Sequence, residues 1–69
     1  MRQSYDPASD TAYFRFRGGA VFNSEEPAPG FVVDRDVAGD LLGVEFQRAS
    51  AIWSPSNLAG WPRTGAPAS

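Results

Sequence analysis

The stretch "DRDVAGDLLGVE", Asp34 to Glu45, places acids at its first, third and twelfth positions and a glycine at its sixth. This matches the spacing of a calcium-binding loop except at the fifth position, where Ala38 replaces an acid or Asn. The flanks decide between a metal loop and a turn. An EF-hand needs a helix entering the loop, yet "EEPAPGFVV" immediately upstream carries two prolines and a glycine followed by β-branched residues. Two β-rich runs, "FVVDRD" and "DLLGVEFQR", instead flank Val37, Ala38 and Gly39, which is a hairpin signal. With Gly39 in the left-handed position of a type I turn with a bulge, Asp36 faces Asp40, Asp34 faces Leu42 and Val32 faces Val44.

In that register Val32, Leu42, Val44 and Phe46 share one face and are expected to pack with Phe14 and Phe16, while Glu45 points away from Asp34. A slip of one residue brings Asp34 and Glu45 onto one face, at an expected separation of roughly 13 Å along the ladder. No single ion spans that distance. It also exceeds the roughly 5 to 9.5 Å between the paired carboxylates of glycosidases. Asp36 and Asp40, beside the turn, are expected to attract a divalent ion only weakly. No metal site, cofactor or catalytic residue is therefore expected. Without His, Cys or Lys the usual general bases and activated nucleophiles are missing, which points to a non-enzymatic protein.

The chain has 69 residues, with eight acids against six arginines and a net charge of -2. A chain this short buries only about 60% of its unfolded surface, so its core needs support. Disulfides and zinc are excluded with Cys and His, leaving an oxygen-ligand metal or a partner as the support. The slight acidity argues against a dedicated nucleic-acid binder. With no apolar h-region and no long apolar run, a soluble cytoplasmic protein is expected. Arginine without lysine, among many Ala, Gly and Pro residues, suggests a GC-rich bacterial genome.

Outward from the hairpin, Arg2 to Tyr5 reads as a short edge strand closed by a type I turn in "YDPASD". In "TAYFRFR" the alternation puts Tyr13, Arg15 and Arg17 on one face and Ala12, Phe14 and Phe16 on the other. Gly18 and Gly19 are expected to fold "AVFNSEE" back onto that strand as a hairpin partner that fades near Glu26, before the break at Pro27, Pro29 and Gly30. The expected fold is mainly β: a small antiparallel β-meander of four to five strands with a short C-terminal helix. The β domain spans 1–50, and 51–69 forms the helix and a flexible Pro/Ala/Gly tail. In "SPSNLAG" Ser54 suits the N-cap, Pro55 the first turn and Gly60 the end of that helix, with a loose tail from 62 to 69.

The stretches "YDPASDTAYFRF" and "GFVVDRDVAGDLLGVEFQRAS" together resemble the small bacterial proteins of domain of unknown function 2283, over roughly residues 3 to 50. The resemblance implies a compact antiparallel β domain, often followed by a short helix, and no established activity or catalytic residues. It also implies an association with antitoxin halves of small two-gene modules. This chain departs from the pattern at Ala38 and in its Trp-bearing extension after Ala51.

A four- or five-stranded sheet with one short helix must hide its apolar face, and a twofold dimer is the simplest cover. Phe14, Phe16, Phe22, Val44, Phe46 and Trp53 are the candidate core or interface residues for such a homodimer. The other arrangement has Trp53 and the helix closing the core within one chain. An alternative function is nucleic-acid binding by Tyr13, Arg15 and Arg17, with Arg35 and Arg48 nearby, unless Glu25 or Glu45 neutralises them. A protein partner is a further candidate, held by an edge strand or by "AIWSPSNLAGW", since Trp is enriched at interface centres.

Overall fold

The computed structural model describes residues 1–64. Five strands form one antiparallel sheet: β1 (Arg2–Asp6), β2 (Thr11–Arg15), β3 (Asn23–Ala28), β4 (Phe31–Arg35) and β5 (Leu41–Gln47). A 3-10 turn at Ala49–Ala51 and helix α1 (Pro55–Ala59) follow. The spatial order is β1-β2-β5-β4-β3. Three tight hairpins join β1 to β2, β3 to β4 and β4 to β5.

The link between β2 and β3 departs from the expected hairpin at Gly18 and Gly19. Residues 16 to 22 form a strap across the ends of β5 and β4. The Phe16 N–H donates to the Leu42 carbonyl at 2.8 Å, and the Phe22 N–H donates to the Arg35 carbonyl at 2.9 Å. β2 therefore pairs with β5, and β3 pairs with β4 at the far edge. The strand β3 also runs past Glu26 to Ala28, because an edge strand tolerates Pro27, whose missing donor faces outward. Pro29 and Gly30, the latter at φ +79°, make the turn into β4.

At its tip the β4–β5 hairpin has the expected form. The Gly39 N–H donates to the Asp36 carbonyl at 2.9 Å, the Asp36 N–H to the Asp40 carbonyl at 3.0 Å, and Gly39 has φ +86°. Below the tip, between Asp34 and Arg35, the register shifts by one residue. Asp34 faces Gly43 rather than Leu42, and Val32 faces Glu45 rather than Val44. The extra residue is Leu42 on β5, which has no partner on β4 and whose side chain is fully buried.

Directly opposed residues share a face, so the register divides the sheet cleanly. One face carries Tyr5, Ala12, Phe14, Phe31, Val33, Val44 and Phe46; the other carries Ser4, Thr11, Tyr13, Arg15, Ser24, Val32, Asp34 and Glu45. The segment after Arg48 covers the first. Trp53 stands 5.7 Å from Phe14 and 5.5 Å from Phe46 between ring centroids, and Trp61 stands 5.5 Å from Phe14. Ala12, Ala49 and Leu58 are buried beneath these rings. The shortest dimension, 18 Å, is that of a sheet with a single covering layer.

The helix forms as its caps dictate: the Ser54 hydroxyl accepts from the Asn57 N–H at 3.3 Å, and Pro55 opens the first turn. Beyond it, Pro62–Thr64 are not loose. The Tyr5 N–H donates to the Pro62 carbonyl at 2.8 Å, and the Thr64 N–H donates to the Tyr5 carbonyl at 3.1 Å, fastening this segment to the outer edge of β1. The remainder of the expected tail, 65–69, lies outside the described residues.

The β1–β2 turn is tied to the same layer through Asp10. Its carboxylate accepts from the Tyr5 hydroxyl at 2.6 Å and from the Ser50 hydroxyl at 2.6 Å. Those bonds, Ser50 first, hold the Asp10 carboxyl below the usual carboxylate range. Asp10 adopts φ 52°, a left-handed conformation that Asp tolerates better than most residues.

Candidate functional site

The twelve residues from Asp34 to Glu45 contain two distinct acidic settings. At the tip, Asp36 Oδ1 accepts from the backbone N–H groups of Ala38 at 3.0 Å and Asp40 at 2.9 Å. The Arg17 guanidinium lies between the Asp36 and Asp40 carboxylates, reaching the latter at 3.2 Å. The Asp40 N–H is the main cause of a lowered Asp36 pKa, with Arg17 and the Ala38 N–H adding to it. Arg17 fills the place that a weakly held divalent ion was expected to take. Among the described residues no three acids gather as metal ligands.

In the stem, the register shift overturns the expected 13 Å separation. Asp34 faces Gly43 and Glu45 faces Val32, so the two acids are diagonal neighbours on adjacent strands, within hydrogen-bond reach of each other. Gly43, opposite Asp34, lets β5 lie close against β2: a Cβ there would stand 2.5 Å from the Phe14 carbonyl oxygen. The Ser24 hydroxyl donates to Asp34 at 2.7 Å. Desolvation, and then the bond to and charge of Asp34, push Glu45 up to about 7. Burial, and then the charge of Glu45, raise the pKa of Tyr13, which faces Glu45 across β2 and β5.

Glu45 is therefore a carboxyl that resists ionisation beside a second acid. Both acids sit on the open face, and neither lines the groove described below.

The proposed nucleic-acid trio, Tyr13, Arg15 and Arg17, lines one open groove, but its members are engaged differently. Tyr13 and Arg15 share the open face, but β2 ends at Arg15 and Arg17 turns to the hairpin tip. Arg15 donates to the Arg17 and Gly19 carbonyls of the strap. Arg35 lies 4.0 Å from Glu25, the neutralising partner anticipated for it. Arg48, at φ 54°, is exposed where the chain leaves the sheet. Sequence reasoning missed Arg2, which stands directly opposite Arg15. The alternation of "RQSY" was the available signal, since it puts Arg2 and Ser4 on one face.

Of the candidate interface residues, Phe14, Phe46 and Trp53 pack together within the chain, as the second arrangement had it, and Val44 is half-buried beside them. Phe16 and Phe22 are exposed, at 44% and 71%. They belong to the strap, with exposed Val21, and lie at the sheet end that also bears exposed Leu41 and Val37.

Comparison with curated proteins and with solved structures finds no match. No helix of the described residues is long and apolar enough to cross a membrane. A family model does match, over residues 2–50, covering all five strands and the acid-bearing hairpin. The chain belongs to the family described as "Protein of unknown function (DUF2283)".

Proposed function

We propose that this domain is a non-enzymatic, self-associating protein-binding module, and that it associates through the apolar rim at the strap end of the sheet. The observation that carries this reading is the exposure of Phe16, Val21 and Phe22 on one short crossing segment, beside Leu41 and Val37. Apolar side chains gathered at one end of so small a domain mark an interaction surface, whereas scattered ones need no explanation. The sheet edges offer less. β3 carries Glu25, Glu26 and Pro27, devices that deter strand addition, and the outer edge of β1 is occupied at Tyr5 by Pro62 and Thr64.

Burial of the rim against a second copy gives a homodimer with one patch used twice. Light scattering is the test. The expected mass is twice the 7.4 kDa of one chain, with Phe22→Glu returning it to the monomer value at unchanged thermal stability. A wild-type chain that stays monomeric at millimolar concentration refutes self-association. The nucleic-acid reading is weaker because Asp34 and Glu45 stand beside Tyr13 on the very face that phosphates would approach.

A further inference from the structure

β1 begins and β2 ends at the same level, Arg2 opposite Arg15, and around that end, where Met1 and the strap from Phe16 to Gly18 continue, lies an open groove of about 660 Å³. Its wall combines Met1, Phe16 and Val44 with Tyr13, Arg2 and Arg15. The volume is within the range of ligand sites, and the lining mixes apolar surface with a few charged groups.

The charges are unusual in their placement. Arg2 and Arg15 are directly opposed across β1 and β2, an arrangement that costs stability when both are cationic. Arg17 and Arg35 each have carboxylate partners, but neither Arg2 nor Arg15 meets one among the described residues. The Arg15 guanidinium is held in place by two carbonyl oxygens, which orient it without neutralising it. A preset guanidinium, a second one across the ladder and an adjoining apolar wall together fit an anionic group attached to an apolar body.

We infer that the groove takes an acidic, apolar-flanked peptide segment of a partner protein, with a carboxylate between Arg2 and Arg15 and its neighbouring side chain against Met1 and Phe16, beyond the strand ends. A nucleic-acid strand fits less well, because its repeated phosphates would extend over the face bearing Asp34 and Glu45. A single carboxylate meets the arginines alone. This inference rests on the protein-binding reading, but its test reads peptide affinity rather than molar mass, so either can fail without the other.

The probe is a fluorescently labelled peptide, Val-Asp-Phe-Glu-Val, blocked at both ends and titrated into the full chain. Binding is expected to be saturable and to weaken about tenfold in Arg2→Gln and in the peptide's Asn/Gln counterpart, as the loss of one charge-assisted contact implies. Arg2 makes none of the described side-chain hydrogen bonds, so its removal leaves the fold intact; Arg15→Gln also frees the strap and is the secondary variant. No saturation at millimolar peptide, equal affinity in Arg2→Gln, or a single-stranded oligonucleotide that displaces the peptide at lower concentration than the peptide itself would each overturn the proposal.

Discussion

The β4–β5 hairpin carries two pairs of carboxylates, and their surroundings are opposite. At the tip, Asp36 and Asp40 are served by backbone N–H groups and by Arg17, so both charges are accommodated. In the stem, Asp34 and Glu45 have each other and a single Ser24 hydroxyl, so Glu45 is held well above the usual carboxylate range. The tip stabilises ionised acids and the stem resists them. The difference arises from backbone geometry: a turn directs N–H groups inward at its first residue, whereas strand N–H groups are already committed to the ladder.

The stem depends on the close approach of β2 and β5, so the largest effect is expected from Gly43→Ala. The added methyl group meets the Phe14 carbonyl at 2.5 Å, and main chain cannot withdraw as a side-chain end can. A loss of about 4 kcal/mol or more in denaturant unfolding is expected, from overpacking together with a disturbed bulge. A Gly43→Ala protein as stable as the wild type would show that the strands do not approach as described.

A smaller effect isolates the pair itself. The Glu45 pKa is raised from its ordinary 4.5 to about 7, so the native chain holds a proton that the unfolded chain releases. The associated stability is fully present below pH 4.5 and is lost as the pH rises through 7. Glu45→Gln should match the wild type at pH 4 and exceed it at pH 8, by on the order of 1 kcal/mol once solvent screening of this half-exposed group is allowed for. Urea midpoints at three pH values decide it, and parallel pH profiles would mean that Glu45 is not held above its ordinary range.

Much of this hairpin was legible from residues alone. Gly39, with aspartates on either side and β-branched runs beyond, specified the turn, its bulge and its tip register, and the prolines before Phe31 excluded a calcium loop. The second bulge was not legible. Leu41 and Leu42 are both apolar, so the alternation that fixes register elsewhere is silent where the shift occurs. The acids therefore met when they were expected to stand far apart. The pairing of β2 with β5 was hidden for another reason: two consecutive glycines report local freedom to turn, while the partner is chosen by burial of Phe14 against Phe46 and the tryptophans. The caps of α1 were readable, being local; its docking on the sheet was one of two arrangements the residues left open, the other being burial against a second copy.

At the tip, Gly39→Ala probes the turn without touching either carboxylate. Its φ of +86° lies where an L side chain is strained, and no neighbouring atom stands within 4 Å of the added group. The expected cost is about 1 kcal/mol from backbone strain alone. It should appear as a uniform drop in thermal stability at every pH, in contrast to the pH-dependent change at Glu45.

The smallest expected effect separates the two sources of stabilisation at the tip. Arg17→Met removes the guanidinium between Asp36 and Asp40 and leaves the N–H groups in place. Because the Asp40 N–H is the larger cause of the lowered Asp36 pKa, the carboxyl should still titrate below the usual range in the variant, moving only part of the way back. Stability tied to that depressed pKa is present above the ordinary carboxylate range and lost as the pH falls through the native value, the reverse of the stem. Exposed ion pairs are screened by salt, so wild type and Arg17→Met should converge as ionic strength rises. Carbon-detected NMR titration of the Asp36 carboxyl measures this directly. A full return to the ordinary aspartate range on loss of Arg17 would mean that the tip is held by its cation rather than by its backbone, and the contrast with the stem would then rest on one side chain.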